Sequence, residues 1–438
     1  MKPWRAPRRL AVVVLVTLAT LLPGYPAQAE TRVMPGPFTG YAFDTCQAPR
    51  QSYMDTWLDR SPFRGVGIYI AGINRHCDQQ TYLNSDWVQT QSDNGWRILP
   101  LTVGLQASCN TRPKFQQPGH RISPDPTDGY ATARAQGRVE ARGTVFEARA
   151  LGIRAGSTLW FDLEHFAASR LRCRESALAF LSGWTWQLHQ RGYGSGVYSS
   201  GSSGIRALDD ARVLEPGRYN LPDQLWIADW NGVASVDSGY VRSDGWSHAR
   251  VHQYRGGHNE TYGGVRINID RNYVDVGRGS FAPREPGHCG GVTLNFAQYR
   301  RLSLGDRGAQ VKAAQCLLRV RRLYVGQLRF QYTPRTEQAV RAFQAKHALP
   351  VTGAMSLRTW TALLSGRNAP VLKIGSASHA VRRLQRALNA AVGAGLTVTG
   401  VFDVPTLKAV RSYQAARGLP RSGVVAAETW SELHAGRR

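Results

Sequence analysis

Two carboxylates, one residue apart, stand at the end of an apolar stretch of the sequence. Asp162 and Glu164 occur in "STLWFDLEHF" at 157–166. Alternate side chains of a β-strand point to the same side, about 6.6 Å apart, so both acids would face one interior. Like-charge repulsion raises the pKa of at least one acid in such a cluster. A protonated acid can then stand beside an ionised one, as glycoside hydrolysis requires.

Three further acids end other apolar runs. Asp44 and Asp270 are the last residues of "TGYAFD" and "VRINID", and Asp229 is the last but one of "QLWIADW". A single Asp at a strand end is more often a helix cap or a turn former, and a DxE pair alone is a weak signal. Five acids at corresponding strand ends are harder to attribute to chance. Metal binding is an alternative, but no histidine stands at a ligand spacing beside them, so we expect no metal and no organic cofactor.

Eight short apolar runs, separated by longer helix-like segments, would supply the strands that carry these acids. This alternation predicts an α/β fold, a TIM-like (β/α) barrel whose site forms at the carboxyl ends of the strands. Near-continuous apolar strands are what a parallel sheet covered by helices requires. The runs lie at 39–44, 65–70, 96–103, 157–164, 192–199, 224–230, 249–254 and 265–270.

Aromatic residues accompany the acids near the same strand ends. Stacking on sugar faces is the functional interpretation, and packing in the core is the alternative. We favour core packing for Trp160 and Trp226. The candidate substrate-binding residues are Asp229, Tyr198, Trp230 and Tyr254.

The first 29 residues have the form of a secretory signal: a basic start, the apolar run "AVVVLVTLATLLPG" and small residues ending at Ala29. An uncleaved anchor is the alternative, although the run is short for a membrane span. Arg8 and Arg9 mean that export by the twin-arginine pathway is an alternative to the general secretory pathway. We therefore expect a secreted, wall-associated protein.

Six cysteines in an exported chain suggest disulfide bonds. Four of them follow the first four predicted strands and would lie on the loop face of the barrel. Cys77–Cys109 joins adjacent loops and is the preferred pair, which leaves Cys46–Cys173.

The C-terminal third contains an internal repeat with an offset of 70 residues. "TEQAVRAFQAKHALPVTGAMSLRTWTALL" from 336 matches "TLKAVRSYQAARGLPRSGVVAAETWSELH" from 406. Helical spacing of apolar residues, with turns at "LPVTG" and "LPRSG", predicts two small all-α three-helix modules. Cys316 stands where the second unit has Arg386, and the linker that contains Cys289 has no counterpart there. We therefore predict a Cys289–Cys316 disulfide that fastens the linker to the first module.

These repeats resemble the helical peptidoglycan-binding domain of bacterial cell-wall enzymes, through "G…V..LQ..L" and "AV..YQ...GLP..G....TW..L". The resemblance implies binding to peptidoglycan. In the first unit "FQYTPRT" replaces the usual turn, which survives better as "GVFDVPT" at 400–406, so a module that packs without binding is the alternative for that unit.

The net charge of +25 favours a polyanionic partner. From residue 299 onward there are 23 Lys and Arg residues against 5 Asp and Glu residues, which indicates adhesion to anionic wall polymers; a solvated basic face is the simpler explanation. Charge alone would also suit a nucleic-acid binder, but the secretory signal argues against one.

A second resemblance spans about 38–278. "GYAFDTC", "WFDLEHF", "GVYSS", "LWIADW", "HQY" and "INIDRN" look like family 25 glycoside hydrolases, which are lysozymes, and more closely like a glycoside-hydrolase-like domain of secreted actinobacterial proteins. The resemblance makes Glu164 the general acid and Asp162 its partner, with Asp44 and Asp270 as the remaining acids. Asp229 departs from the pattern, as does the insertion at 110–130.

The sequence therefore predicts a secreted muramidase-like hydrolase of peptidoglycan, monomeric and anchored by two binding modules. The alternative is a non-catalytic wall-binding protein with an inherited barrel. The predicted parts are a signal peptide (1–29), the barrel (30–280), a linker (281–298), the first module (299–365), a linker (366–372) and the second module (373–436).

Overall fold

The computed structural model describes residues 33–438 of the chain. The predicted signal peptide at 1–29 lies outside the described residues. Within 33–438, a barrel of eight strands is followed by six helices. No helix in this range is long and apolar enough to cross a lipid bilayer.

The eight strands close into a barrel in which each strand pairs with its neighbours in chain order. This confirms the predicted TIM-like architecture, and the strand positions agree with the apolar runs of the sequence. The strands are β1 Phe38–Asp44, β2 Gly65–Ala71, β3 Arg97–Thr102, β4 Thr158–Leu163, β5 Gly194–Ser200, β6 Gln224–Ala228, β7 Ala249–Tyr262 and β8 Val265–Val276.

The last strand differs from the prediction because β8 runs antiparallel to both β7 and β1. A tight turn joins β7 to β8, and both strands are longer than the sequence indicates. Asp270 therefore lies within β8, and its placement at a strand end was wrong. The antiparallel register nevertheless pairs Asp270 with Asp44, so the residue still reaches the level of the mouth.

Helices cover the outside of the barrel between β1 and β6. The connection from β6 to β7, residues 229–248, contains no helix, so this barrel has fewer helices than a complete alternation of strands and helices. The barrel helices are α1 Gln51–Arg60, α2 Ser85–Asp93, α3 Ala131–Ala150, α4 Leu171–Gln190 and α5 Arg206–Leu214.

Two tryptophans fill the inside of the barrel. Trp160 on β4 and Trp226 on β6 are fully buried, and their ring centroids lie 6.0 Å apart in an edge-to-face contact. The Trp226 indole donates a hydrogen bond to Asn272 Oδ1 at 2.7 Å. Their interpretation as core residues is confirmed. Because Trp160 precedes Asp162 by two residues on one strand, it lies beneath that acid.

The barrel disulfides differ from the preferred pairing, so the predicted Cys77–Cys109 and Cys46–Cys173 bonds were wrong. Each bond in the structure joins the segments that follow two neighbouring strands. Cys46–Cys77 joins the loops after β1 and β2, and Cys109–Cys173 joins the loop after β3 to the first turn of α4, the helix that follows β4. The predicted pairing would instead have joined the segment after β2 to the segment after β3, and the segment after β1 to the segment after β4. The bonds are Cys46–Cys77 and Cys109–Cys173, with Cα–Cα distances of 5.7 and 5.9 Å.

Six helices after the barrel form the two repeats, three helices in each, as the sequence predicts. The first unit contains α6 Ala309–Val320, α7 Pro334–Lys346 and α8 Leu357–Ser365; the second contains α9 His379–Val392, α10 Val404–Ala416 and α11 Ala427–His434.

The two units repeat their internal contacts as well as their helices. Trp360 and Trp430 are both fully buried. The Trp360 indole donates to Arg300 O at 2.9 Å, and the Trp430 indole donates to Pro370 O at 2.8 Å. Each tryptophan therefore ties the last helix of its unit to the segment that enters the unit. The predicted Cys289–Cys316 disulfide is present in the structure, with a Cα–Cα distance of 5.9 Å.

A buried lysine joins the second module to the barrel. Lys373 is 1% exposed, and its ammonium donates to the carbonyl oxygens of Ser61 at 2.8 Å and Phe63 at 2.9 Å. Burial lowers the pKa of Lys373 well below its usual value, and the nearby Arg64 adds to the effect. The equivalent residue of the first module is Ser303, so this contact belongs to the docking of the modules and not to the module fold.

Replacing Lys373 by Met should weaken this attachment. The substitution keeps an unbranched side chain but leaves buried carbonyl oxygens without a donor, so the free energy of unfolding should fall by about 1–3 kcal/mol. Urea denaturation measures the loss, and limited proteolysis of residues 366–372 should become faster. Lys408→Met, at an exposed site on α10, is the matched control. Equal stability of the two variants would contradict a role for Lys373 in docking.

Candidate active site

Four carboxylates from three parts of the chain line one cavity of about 480 Å³ at the mouth of the barrel. Asp44 ends β1, Asp162 lies near the end of β4, and Glu164 follows β4 directly. Asp270 enters from β8, opposite Asp44. The structure therefore brings together all four acids that the sequence proposed as catalytic.

Gln253 on β7 connects two of these acids. Its amide nitrogen lies 3.1 and 3.0 Å from the two carboxylate oxygens of Asp44 and 3.2 Å from Asp270 Oδ2. Its amide oxygen accepts hydrogen bonds from the Tyr198 hydroxyl at 3.0 Å and the Trp230 indole at 2.9 Å. A neutral donor between two like charges stabilises each carboxylate by hydrogen bonding but supplies no counter-charge, so the repulsion between them remains.

Burial dominates the electrostatics of the acids on the barrel axis. It raises the pKa of Asp44 well above its usual value, and repulsion from Asp270 adds to the rise. Burial also raises the pKa of Asp162 well above normal, with further repulsion from Glu164 and Asp44. Asp162 Oδ1 is buried without a hydrogen-bond partner in residues 33–438. A proton on Asp162 or Asp44 is therefore favoured far more than on a free aspartic acid.

The same environment acts on Asp270 and on two tyrosines. Burial raises the pKa of Asp270, although a backbone hydrogen bond from Gly257 opposes the rise. Burial and the nearby acids also raise the pKa values of Tyr69 and Tyr198 well above normal. Both phenols therefore stay protonated at neutral pH and remain hydrogen-bond donors.

Glu164 differs from the other three acids because it has a cationic partner. Arg112, from the insertion at 110–130, places its guanidinium 3.0 Å from Glu164 Oε1. The Arg112 side chain is 61% exposed and that of Glu164 is 27% exposed. Glu164 is thus the acid at the surface of the cluster, and Asp162 lies behind it.

Gln106, in the loop after β3, fixes the backbone that carries these two acids. Its amide nitrogen donates to Asp162 O at 2.8 Å, and its amide oxygen accepts from the Glu164 backbone N–H at 2.8 Å. Gln106 is fully buried. These bonds pair the Asp162 carbonyl and the Glu164 N–H at the end of β4, where β3 no longer pairs with it. A side chain of the neighbouring loop therefore holds the backbone of the DxE segment in place.

The proposed substrate-binding residues divide into two groups. Trp230 lines the mouth cavity and is 66% exposed, so its ring face is available for stacking. Tyr198 lies against the acids through Gln253. The Asp229 carboxylate instead accepts a hydrogen bond from Asn231, and Tyr254 is 5% exposed beside Arg271 on the outer side of the hairpin. Of the four proposed residues Trp230 lines the mouth cavity, whereas Tyr198, Asp229 and Tyr254 do not.

Three residues of the site were missed by the sequence argument. Gln253 lies in the "HQY" segment of β7, from which the sequence analysis selected only the aromatic residue Tyr254. Gln106 and Arg112 lie in irregular loops without periodicity. Their contacts join residues more than 50 positions apart, which no local pattern can reveal.

The arrangement places acids whose pKa values are raised by burial beside other carboxylates, with an exposed aromatic ring at the entrance. Such a pair can protonate a leaving oxygen and stabilise the positive charge that develops on a sugar ring. It can also bind a sugar through hydrogen bonds without cleaving it.

Comparison with protein families finds two matches along the chain. Residues 55–274 match the family described as the Rv2525c-like, glycoside hydrolase-like domain. Residues 307–363 and 378–433 match the peptidoglycan binding domain. These two families account for the barrel and for both helical repeats. A comparison with curated protein sequences finds no match.

Solved structures with a similar barrel come from several bacteria. An uncharacterised protein of B. stearothermophilus is 19% identical (54% of this chain, 95% of that chain, TM-score 0.33). The Tat-secreted protein Rv2525c of Mycobacterium tuberculosis, in complex with L-tartrate, is 15% identical (54% and 95%, TM-score 0.36). A family 25 glycosyl hydrolase from Bacillus anthracis is 14% identical (54% and 89%, TM-score 0.33). With half of its length matched by the family model, the chain belongs to the Rv2525c-like, glycoside hydrolase-like family and carries two peptidoglycan binding domains.

Proposed function

We propose that this protein is a secreted glycoside hydrolase that cleaves the glycan strands of peptidoglycan in the manner of a muramidase. The observation that carries the proposal is the cluster of four carboxylates around one cavity. Buried acids that repel each other retain a proton at higher pH, which supplies the acid of glycoside hydrolysis. Family membership and the two peptidoglycan binding domains support a wall-directed role.

Glu164 is the proposed proton donor. It lies at the surface of the cluster and lines the cavity, so it can reach a glycosidic oxygen. Asp162 is the deeper acid beside it. In the proposed reaction the proton that burial favours on Asp162 in the free protein passes to Glu164 once Arg112 has left. The ionised Asp162 then steadies the positive charge that develops on the sugar, or the acetamido group that takes its place. Asp44 and Asp270, bridged by Gln253, complete the acidic wall.

Arg112 must leave Glu164 before that acid can act. An ion pair with an exposed partner contributes about 0–1 kcal/mol, which is small beside the binding energy of a glycan. Substrate can therefore displace the guanidinium. Without it, repulsion from Asp162 favours a proton on one of the two acids, so substrate entry and activation of the acid are coupled in this proposal.

The same ion pair favours a second candidate function. Arg112 occupies the carboxylate that would otherwise donate a proton, as expected if the mouth binds glycan and does not cleave it. In that case the protein is a wall-binding protein whose barrel retains an acidic sugar site. Tight binding to peptidoglycan without new reducing ends would identify this function.

We further propose that the protein acts outside the cell as a monomer. The basic and apolar N-terminal segment supports export, as do three disulfide bonds in a chain with no free cysteine among the described residues. The Mycobacterium tuberculosis relative is a Tat-secreted protein. The basic C-terminal third suits adhesion to anionic wall polymers in addition to peptidoglycan, and no nucleic acid partner is proposed.

Substituting Glu164 by Gln should abolish hydrolysis while preserving binding. Removing the proton donor should lower the cleavage rate about 100-fold or more. The measurement is digestion of purified actinobacterial peptidoglycan by residues 30–438, with reducing ends and muropeptides identified by mass spectrometry. Asp229→Asn removes a carboxylate outside the mouth cavity and is the matched control. Wild-type activity in Glu164→Gln would exclude the proposed role.

Replacing Arg112 by Gln should change the pH dependence of the reaction. Arg112 lowers the pKa of Asp162, so without the guanidinium the acid pair should hold its proton to higher pH and the alkaline limb of kcat/KM should move to higher pH. Arg121→Gln removes an exposed arginine from the same insertion and should leave the profile unchanged. An unchanged profile in Arg112→Gln would show that the ion pair does not govern protonation.

Asp162→Asn should make the protein more stable at neutral pH. The folded-state pKa of Asp162 is raised above its unfolded value, near 3.9, so the wild type loses stability as the pH rises above about 4. The variant should be more stable than the wild type at pH 7 and equally stable at pH 3.5, where the acid is protonated in both states. Thermal unfolding across this range, with Asp229→Asn as control, measures the difference. A gain that does not vary with pH would contradict ionisation as its cause.

A further inference from the structure

A second cavity, of about 620 Å³, lies where the two helical modules meet. We refer to it as the inter-module cavity. The linker before the first module contributes Glu285, α6 leads into Arg321, the connection after α8 contributes Arg367, and α9 contributes Arg383. The cavity therefore draws on both modules and on the chain that joins them to the barrel.

The charges around this cavity do not balance. Within residues 33–438, Arg321, Arg367 and Arg383 form no ion pair with an acid. Glu285 is the one acid that lines the cavity, and it already contacts Arg386 and His288. Three guanidinium groups thus surround a cavity without a carboxylate to compensate them.

One of the three arginines without an ion-pair partner, Arg383, is buried. Its side chain is 8% exposed, and its Nε is buried without a hydrogen-bond partner in the described residues. Its terminal nitrogens donate to the side-chain and backbone oxygens of Asn368. The guanidinium also lies 4.7 Å from the ring centroid of Trp430. These contacts fix the group in place but supply no negative charge.

The pKa values record the same repulsion. Burial lowers the pKa of Arg383 to about 10, and Arg367 and Arg321 add to the decrease. Burial also lowers the pKa of Arg321, again with repulsion from Arg367. The three cations therefore destabilise one another in the absence of an anion, and bound negative charge would relieve that cost.

The arrangement is specific to the interface and is not part of each repeat. With the offset of 70 residues, Arg321 corresponds to Ala391 and Arg383 corresponds to Ala313. Each module contributes its arginine at a position where the other module has alanine. The cationic cavity consequently exists once, and only when the modules are joined in this order.

We propose that the inter-module cavity binds a phosphate group of an anionic phosphodiester polymer of the cell wall. Guanidinium groups bind phosphate through paired N–H donors, and a tetrahedral phosphate can accept from several directions at once. Leu317, Leu363 and Leu364 also line the cavity and can contact the carbon backbone between phosphates. The ligand assignment rests on the proposed wall-directed function, but the site is separate from the glycan-cleaving mouth.

The test is binding of soluble poly(glycerol phosphate) to residues 30–438 by isothermal titration calorimetry. The double variant Arg321→Gln/Arg367→Gln should bind about tenfold more weakly than the wild type. Arg335→Gln/Arg421→Gln removes two exposed arginines away from the cavity and should bind nearly as tightly as the wild type. If the cavity double variant does not fold, Arg367→Gln alone gives the same comparison at an exposed side chain.

Three results would overturn the inference. Equal losses in the two double variants would show that diffuse positive charge, and not the cavity, binds the polymer. Equally tight binding of poly-γ-glutamate would remove the preference for phosphate, and absence of binding at low salt would remove the site. Glu164→Gln should bind poly(glycerol phosphate) like the wild type, so a failure of the proposed hydrolysis remains distinguishable from a failure of this site.

Discussion

The direction of β8 is the constraint on which both ends of the molecule depend. Because β8 runs antiparallel between β7 and β1, it closes the barrel and places Asp270 opposite Asp44. The same direction then carries the chain away from the mouth, since Val276 pairs with Phe38 at the start of β1. The second module accordingly docks near the amino ends of the strands, where Ser280 Oγ donates to Gly375 O at 2.8 Å, and the mouth is lined by barrel residues alone.

Closing the barrel in this way forces like charges together, and neutral side chains make the arrangement tolerable. Gln253 donates to Asp44 and Asp270, and Gln106 fixes the backbone around Asp162. An amide satisfies carboxylate oxygens but does not cancel their charge, so the pKa values stay raised. An arginine in place of Gln253 would pair with the acids and lower those pKa values. The choice of amides thus preserves proton affinity, which is the property that acid catalysis uses.

The sequence predicted what depends on short-range periodicity. The alternation of side chains in β4 placed Asp162 and Glu164 on one side, and the 70-residue repeat predicted both helical modules and the Cys289–Cys316 bond. The sequence-based prediction was wrong for strand direction and disulfide pairing, which depend on contacts between residues distant in sequence. The sequence did not indicate that β8 is antiparallel and extends beyond Asp270, so it placed this acid at a strand end. Nor did it indicate which loops are neighbours, so it did not predict the Cys46–Cys77 bond. Arg112 reached Glu164 from an insertion whose fold no pattern indicates.

The mouth and the inter-module cavity each bring like charges together, negative at the mouth and positive between the modules. In most of the molecule buried polar groups are paired, as Lys373 is with three carbonyl oxygens. At the mouth, acids are buried beside acids; between the modules, Arg383 is buried beside other arginines. Each arrangement destabilises the free protein and becomes favourable only with a ligand of complementary charge or a bound proton.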